Sequence, residues 1–448
     1  MHIQRTTTIA GRAAAYAGAI ALVVFGAACG SALDVPNPQA FGDDALNNPI
    51  ILKNVANGAE GSLHQAFDDY IVMTELLSDE VESTSTWIDW EDVSEGRIRH
   101  DWPSGGAFSF SQDQLLQARY AATSATERIN KVLGADAQTS PLRAQTILVD
   151  ALADLLLATG YCESPLAANE GRSSDTLVFQ QAITKFTDGL AAAQAITGDP
   201  DALAKWTNVA YAGRARANLM AGNYDAAKTD AQAVAANFEY DALYSEATGN
   251  TTSDPGEQFN QNRNRSGGLR RMYHSRVHVI DSVGTGEAYL RDWLSNQDDH
   301  RMAVTRFAGQ LGVNNRFAYF GITKYADRSA PIRMLSKIES NLIEAEVAMR
   351  AGDYATEVGI LNLMRARAGV NLPPIPVPGS EAEAQNALLN ERMAELWVEG
   401  SRMQDLYRFG LVTQVLGPSR ATKLPLSENE ILNNSSITNG AGKCPAIS

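Results

Sequence analysis

Most of this chain repeats the apolar spacing of amphipathic helices, and this pattern limits its fold more than any other feature. Apolar residues recur at intervals of three and four, on alanine-rich faces that allow close helix contact. The predicted helices lie at residues 51–77, 112–133, 141–160, 176–196, 202–221, 224–237, 333–351, 354–368 and 381–408. Alternating strand patterns are scarce, and the best candidates are residues 272–280 and 314–326. The sequence therefore predicts an all-α fold with minor β structure.

Two of the predicted helix pairs share the same turn chemistry. The turns read AGNY at residues 221–224 and AGDY at residues 351–354, each between two predicted helices. Glycine ends the first helix at low steric cost and tyrosine packs back across the pair, as in tetratricopeptide-like hairpins. The two copies lie much farther apart than the roughly 34 residues of a regular tetratricopeptide array. The pattern indicates helical hairpins with long insertions between them.

Two polar, irregular segments form the predicted insertions, near residues 83–111 and 246–332. The first holds Trp87, Trp90 and Trp102 among serine, glycine and aspartate. The second begins with a stretch rich in glycine and asparagine and contains both strand candidates. Long structured loops on a rigid scaffold commonly carry binding function, so we expect a binding site at these insertions.

The N-terminus has the pattern of an export signal. Residues 1–28 contain arginine but no acidic residue, and their apolar run is shorter than the roughly 20 residues of a membrane span. The small residues before Cys29 resemble a bacterial lipobox, in which that cysteine carries lipid. Gly26 replaces the usual leucine, and ordinary signal-peptide cleavage is the alternative. We expect a signal peptide at residues 1–28, a lipid-anchored tether at residues 29–48 and a single helical domain at residues 49–448.

The net charge limits the classes of partner that this chain can bind, and the cysteines can form a disulfide only in an oxidising compartment. The formal net charge is −15, which makes nucleic acids and anionic membrane surfaces poor partners and favours a neutral or weakly charged ligand. Besides Cys29, the chain contains Cys162 and Cys444. In an oxidising compartment these two can form a disulfide, or they can remain free thiols, and the sequence leaves both open.

The segment NERMAELWVEGSRMQDLYRFG, residues 390–410, combines a wide apolar stripe with a row of charges. Three glutamates follow one another at steps of four, which would repel on one helix face. Arginines three residues from acidic neighbours can neutralise the row along a single helix, and the wide stripe indicates that part of it lies against packed protein. The central glycine costs about 1 kcal/mol relative to alanine in a helix, so we expect close backbone approach there. A solvated ion-pair face is the alternative interpretation.

Together these features resemble the SusD/RagB family of nutrient-binding outer-membrane lipoproteins. Residues 390–410 resemble the family's C-terminal hallmark, residues 338–369 its preceding helix pair, and residues 424–434 its closing element. The matching hallmark positions are Glu391, Arg392, Glu395, Glu399, Gly400, Arg402, Asp405, Leu406 and Arg408. The ending GKCPAIS departs from the family's usual Asn-Pro-Gly-Tyr. The likeness covers the whole chain, is weak between about residues 250 and 330, and implies a SusD-like helical domain.

The resemblance also implies a function. Such a protein is lipid-anchored to the bacterial outer membrane and faces the cell exterior. It captures an oligosaccharide, or in some members a peptide, and acts as the lid of a TonB-dependent transporter of the SusC type. Binding alone is implied, without catalysis. The charged helix is then scaffold, with Arg402 expected to hydrogen bond Glu399 and Asp405 inside the fold.

The family shares no ligand-binding motif, so candidate ligand residues follow from side-chain chemistry. Aromatic rings stack on the apolar faces of sugars, and polar side chains bind the hydroxyl groups. The stacking candidates are Trp87, Trp90, Trp102 and Tyr273. The polar candidates are Asp89, Asp101, Asn314 and Arg316. The alternative is that these aromatic residues fix the irregular loops to the core.

We find no motif for a metal or a cofactor in the sequence. His274 and His278 are four residues apart but lack the glutamate of a zincin site and lie in a strand candidate. No phosphate-binding lysine loop is present. Two other functions compete with nutrient binding. One is an all-α glycosidase, because an acidic chain offers many carboxylate pairs. The other is a periplasmic tetratricopeptide-like scaffold that binds only proteins.

Overall fold

A computed structural model describes most of the chain from residue 43 onward. The described residues are 43–81, 83, 88–98, 106–244, 295, 299–302, 304–311, 318–322, 324–325, 330–418 and 420–437. The chain divides into two units, Met1–Asn48 and Pro49–Ser448. In the first unit, Asp43–Asn47 forms a short 3-10 helix. All features described below belong to the second unit.

The first half of this unit is a row of helices, each packed on the next in sequence. After a 3-10 turn at Pro49–Ile51, the helices are α1 (Leu52–Leu77), α2 (Ile88–Ser94), α3 (Ala107–Leu133), α4 (Pro141–Gly160), α5 (Asp175–Gln194), α6 (Pro200–Met220) and α7 (Tyr224–Ala233). The longer helices bury an alanine- and leucine-rich face against their neighbours: α1 packs on α3, α3 on α4, α4 on α5, and α5 on α6. This row confirms the predicted helical scaffold, with boundaries that differ by a few residues.

The second half adds a further helical hairpin and a C-terminal group. Its helices are α8 (Lys337–Arg350), α9 (Tyr354–Arg365), α10 (Glu381–Glu395), α11 (Arg402–Arg408), α12 (Val412–Leu416) and α13 (Glu428–Asn433). Helix α8 packs on α6 and α7, so the hairpin α8–α9 extends the row begun by α1–α7. None of the helices described is long and apolar enough to cross a membrane.

The described strands form two-stranded antiparallel pairs. Strand β1 (Glu163–Pro165) pairs with β2 (Arg172–Ser174), β3 (Glu239–Ala242) with β6 (Ile332–Ser336), and β4 (Val304–Leu311) with β5 (Ala318–Ile322). The β4–β5 pair contains part of the strand candidate at residues 314–326, and the candidate at 272–280 lies outside the described residues. The all-α fold with minor β structure is confirmed.

One predicted helix begins later than expected. The apolar spacing predicted a helix from residue 333, but this segment is β6, which pairs with β3 from a distant part of the chain. Ser336 then accepts a hydrogen bond from the backbone N–H of Glu339, at 3.0 Å, and α8 starts at Lys337. The prediction was wrong here because pairing with β3 and the serine cap override the local periodicity.

Both hairpin turns have the predicted chemistry. Gly222 and Gly352 take φ angles of 80° and 76°, a region that glycine enters without steric cost. The residue after each glycine donates its N–H to a carbonyl five residues back, at 2.8 Å in the first turn and 2.9 Å in the second. This is the hydrogen-bond pattern of a glycine-terminated helix, and it lets α7 and α9 fold back on the preceding helices.

Close helix packing predicts a large effect at Gly213 on α6. A Cβ at this position would overlap the Phe186 ring, which is fully buried. We expect Gly213→Val to lower the free energy of unfolding by about 1–3 kcal/mol in urea titrations, because the core must shift to accept the added atoms. Gly359→Ala on α9 is the control, since no atom lies within 4 Å of its Cβ position and alanine favours the helix. Equal stability of the two variants would contradict the packing described.

Candidate binding site

The charged C-terminal segment is two helices separated by a tight turn, and the continuous helix predicted for residues 381–408 is wrong. Helix α10 ends at Glu395 and α11 begins at Arg402. In the intervening turn, Val398 and Gly400 have φ angles of 55° and 76°. A positive φ is costly for a β-branched residue such as valine, so external contacts must hold this turn.

Acidic side chains at the end of α1 supply those contacts. The N–H of Val398 donates to Glu80 Oε2 at 2.9 Å, and the N–H of Gly400 donates to Glu75 Oε1 at 2.5 Å. A Cβ on Gly400 would lie 3.3 Å from the Tyr70 ring, which is the close approach that the sequence led us to expect. The two carboxyl groups therefore stabilise the strained turn from more than 300 residues away in the chain.

Glu75 and Glu80 are fully enclosed and hydrogen bond to each other. Burial raises the pKa of Glu75, and burial together with the neighbouring Glu75 raises the pKa of Glu80 well above its ordinary value of 4.5. A proton held between the two carboxyl groups lets one donate to the other. The backbone N–H groups of Gly400 and Val398 favour the ionised carboxyl groups, but burial outweighs them, so the folded protein favours the protonated pair.

The raised pKa of Glu80 predicts a pH dependence of stability. The folded state binds more protons than the unfolded state at pH values above about 4.5, so the free energy of unfolding falls as the pH rises. Glu80→Gln mimics the protonated carboxyl group, and its amide can still accept from Val398. We expect this variant to lose less stability than the wild type as the pH rises above about 5 in urea titrations. The exposed Glu381→Gln should leave the wild-type profile unchanged. Parallel profiles for Glu80→Gln and wild type would refute the shared proton.

The row of glutamates on α10 and in the turn binds cations from the second insertion. Glu391 and Glu395 each contact Arg301, at 2.7 and 2.8 Å, and Glu399 contacts Lys324 at 2.6 Å. Lys324 also donates to the carbonyl of Trp397 at 2.7 Å. Arg365 at the end of α9 binds Glu391, and Arg367 just after α9 binds Glu395. The acidic row thus fixes the described parts of the insertion to the scaffold.

The arginines of this segment have partners other than the expected ones, with one exception. Arg402 forms two hydrogen bonds with Asp79 of the α1 end, at 2.7 and 2.8 Å, where the sequence predicted Glu399 and Asp405. Asp405 instead binds Arg392 and Arg408, each at 2.8 Å. Only the Asp405–Arg408 pair follows the predicted three-residue spacing. Burial alone would raise the pKa of Asp405, but the two arginines hold it below its ordinary value.

The C-terminal tail contacts the first insertion at Gly96 and the helix that follows the insertion at Gln112. The carbonyl of Gly96, just after α2, accepts from the N–H of Ala421 at 3.3 Å. At the start of α3, Gln112 accepts from the N–H of Ser427 and donates to the Glu163 carbonyl at 3.0 Å. The tail itself is held by backbone hydrogen bonds of Leu424 with Gly160 and Cys162, at 2.9 and 3.0 Å. The segment that resembles the family's closing element therefore anchors a loop far away in sequence.

Of the predicted ligand residues, the structure describes only Asp89 and Trp90, both on α2. Trp90 is 5% exposed and packs in the main hydrophobic core, whereas Asp89 is partly exposed. In this position Trp90 fixes α2 to the scaffold, and its contact with a ligand stays a prediction. The remaining candidates lie outside the described residues and also stay predictions: Trp87, Asp101, Trp102, Tyr273, Asn314 and Arg316.

Two apolar side chains at this insertion were not among the candidates. Ile88 on α2 and Phe110 on α3 are 67% and 48% exposed. Phe110 belongs to the aromatic-rich segment 83–111, and so does Phe108. Only the structure shows that Phe108 is buried while Phe110 is exposed. Exposed apolar groups on helices that flank a loop can contact the apolar faces of a ligand.

The cysteine and metal predictions can be compared with the structure only in part. Cys162 is disulfide-bonded, and Cys29 and Cys444 lie outside the described residues, so pairing with Cys444 and lipid on Cys29 stay predictions. Among the described residues, no group of three His, Cys, Asp or Glu side chains could hold a metal ion. His274 and His278 lie outside that set.

Comparison with known proteins identifies relatives by sequence and by fold. The sequence model of the SusD family matches residues 339–438. Comparison with curated protein sequences finds no match.

Similar solved structures include three SusD relatives. A SusD superfamily protein from Bacteroides thetaiotaomicron VPI-5482 has a TM-score of 0.61 at 15% identity, covering 88% of this chain and 98% of that one. A SusD-like carbohydrate binding protein from Bacteroides vulgatus ATCC 8482 has a TM-score of 0.60 at 16% identity, covering 80% and 83%. A laminarin binding SusD-like protein has a TM-score of 0.56 at 15% identity, covering 87% and 98%. At these identities the likeness is one of fold.

Proposed function

We propose that this chain, whose residues 339–438 match the SusD family model and whose fold is that of SusD-like proteins, is a carbohydrate-binding protein of the SusD/RagB family that presents its two insertions as the ligand site. The observation that carries the proposal is the way the scaffold holds those insertions. The first is anchored by the tail, and the second by the buried acidic row of α10. Anchoring of the described parts of an insertion lowers the conformational entropy that those parts lose on binding.

Sugar recognition suits the side chains of the insertions. Pyranose rings have apolar faces that stack on indole rings, and their hydroxyl groups pair with carboxylates and amides. Trp87 and Trp102 are the proposed stacking residues. The carboxylates of Asp89 and Asp101 are proposed to accept hydrogen bonds from sugar hydroxyl groups. In the second insertion, Tyr273, Asn314 and Arg316 are the proposed contacts. We propose that the protein binds the glycan and does not cleave it.

The cellular role we propose is nutrient uptake at the bacterial outer membrane. Lipid on Cys29 would hold the protein at the membrane, and residues 29–48 would act as a tether. A single lipid-bearing residue gives a helical domain membrane attachment without a spanning helix. The partner would be a TonB-dependent transporter of the SusC type, over which this protein closes as a lid.

The binding proposal is tested with the purified mature protein and a panel of soluble glycans, by isothermal titration calorimetry. We expect at least one glycan to bind, and Trp87→Ala or Trp102→Ala to weaken it about tenfold or more, which is roughly 1.4 kcal/mol. Tyr120→Ala is the matched control, because this aromatic side chain is 67% exposed on the scaffold helix α3, outside both insertions.

Several outcomes would contradict the binding proposal. One is that no glycan in the panel binds, and another is that the tryptophan variants bind as tightly as the control. Release of shorter glycans during incubation would instead support the glycosidase alternative.

A further inference from the structure

A cavity on the helical scaffold has no role in the proposed glycan site. It has a volume of about 640 Å³ and is lined by residues of α3, α4, α5 and the 3-10 turn Gly134–Thr139. None of the lining residues belongs to either insertion. A volume of this size accommodates a small organic molecule.

Part of the charge in this cavity is neutralised internally. Lys185 contacts Asp150 at 2.8 Å and Asp154 at 2.6 Å, and Thr123 donates to Asp150 at 3.0 Å. These side chains therefore form a fixed polar wall. They leave little net charge for a ligand to balance.

The other charged lining residues are Arg143, Glu127 and Asp188. The Nε of Arg143 is buried and makes no hydrogen bond to any residue that the structure describes. Within the same described part of the chain, Glu127 and Asp188 form no ion pair. A buried donor without an acceptor is unfavourable, and a ligand anion would satisfy it. The cavity thus offers one cation and two carboxylates.

Two helix ends of opposite dipole sign lie at the cavity. Arg143 lies in the first turn of α4, whose N-terminal pole is positive, and Ala191 and Ala195 lie at the C-terminal end of α5, whose pole is negative. The N–H of Thr197 donates to the carbonyl of Thr139 at 3.4 Å, which keeps these two helix ends side by side. The site therefore favours an anion and a cation next to each other.

The uncharged lining excludes the chemistry of the glycan site. Ile147 and the alanines of α5 form an apolar surface, and none of the lining residues is aromatic. A sugar ring would find no partner for stacking, whereas a small aliphatic group would lie against Ile147 and Ala191.

We propose that this cavity binds a small zwitterion with the chemistry of a free amino acid or an unblocked dipeptide. Its carboxylate pairs with Arg143 at the start of α4, its ammonium group pairs with Glu127 of α3 and Asp188 of α5, and its aliphatic part covers Ile147 and Ala191. This site is separate from the insertions and does not depend on the glycan proposal.

The test is calorimetric titration of the full chain with alanyl-alanine. Two blocked probes remove one charge each: N-acetyl-alanyl-alanine lacks the ammonium group, and alanyl-alanine amide lacks the carboxylate. We expect alanyl-alanine to bind with a dissociation constant on the order of 1 mM or lower, and each blocked probe to bind at least tenfold more weakly.

Variants distinguish a loss of binding at this site from a general loss of folding. Arg143→Gln removes the cation, and Ala191→Leu fills the cavity from an exposed helix position. Both should weaken alanyl-alanine binding at least tenfold and leave thermal unfolding and glycan binding as in the wild type. Lys131→Gln, at an exposed position of α3 outside the cavity, is the control. No binding of alanyl-alanine, equal binding of the blocked probes, or full binding by Ala191→Leu would overturn the proposal.

Discussion

Arg402→Met is expected to lower the free energy of unfolding by about 3–5 kcal/mol, because it leaves the buried carboxylate of Asp79 without a partner. The Asp79 side chain is fully buried and the Arg402 side chain is 8% exposed, so water cannot replace the lost guanidinium. Urea unfolding followed by circular dichroism measures the change. A double variant, Asp79→Leu with Arg402→Met, should recover most of the loss, since it removes both charges.

Arg97→Met is the matched control for this prediction. Arg97 also pairs with an aspartate at 2.7 Å, but its side chain is 54% exposed. Exposed ion pairs contribute about 1 kcal/mol or less, so this variant should unfold almost like the wild type. A loss for Arg402→Met no larger than for Arg97→Met would mean that the α1–α11 contact is not the buried ion pair described.

Arg301→Met is expected to cost about 3 kcal/mol or more and to loosen the second insertion. Arg301 is 8% exposed and binds Glu391, Glu395 and Asp299, the last at 2.6 Å. Its loss removes the ion pair with Asp299. It also removes one arginine partner from each glutamate, which leaves Arg365 with Glu391 and Arg367 with Glu395. Urea unfolding measures the stability, and limited proteolysis with mass spectrometry measures cleavage within residues 246–332.

Arg172→Met provides the comparison for Arg301. Arg172 forms an ion pair with Glu163 at 3.3 Å, longer than the contacts of Arg301, and lies outside both insertions. We expect a smaller loss of stability than for Arg301→Met, because the 3.3 Å contact is longer and both side chains keep some exposure to water, and no added cleavage in residues 246–332. Wild-type cleavage rates in Arg301→Met would show that the acidic row does not anchor the insertion.

Helix α4 shows how much of the fold can be predicted from local sequence. Its boundaries, Pro141–Gly160, are those predicted, because Ser140 caps the first turn, Pro141 suits the first helical position and the apolar pattern ends at Gly160. The hairpin turns at Gly222 and Gly352 were predictable for the same reason. In each case the determining residues lie within a few positions of the feature.

The break at residues 396–401 shows what local sequence cannot predict. The apolar stripe continues through it, and only Gly400 hinted at an interruption. The turn exists because Glu75 and Glu80 supply acceptors to the backbone N–H groups of Gly400 and Val398. A pairing across more than 300 residues leaves no periodic signal.

The same reason limits prediction of the site. The hallmark charges were recognisable, but spacing alone assigned Arg402 to Glu399 and Asp405 when its hydrogen-bond partner is Asp79. Trp90 was chosen for its chemistry, and only the orientation of α2 reveals that its ring is buried. Ligand candidates in irregular segments depend on tertiary placement, for which single-sequence patterns contain little information.

The most direct test of the uptake role is affinity purification of the tagged full-length protein from detergent-solubilised outer membranes, with its partners identified by mass spectrometry. The lid role predicts stoichiometric recovery of a TonB-dependent transporter barrel with this protein. Recovery of the protein alone, or only with periplasmic partners, would contradict the lid role and favour the scaffold alternative.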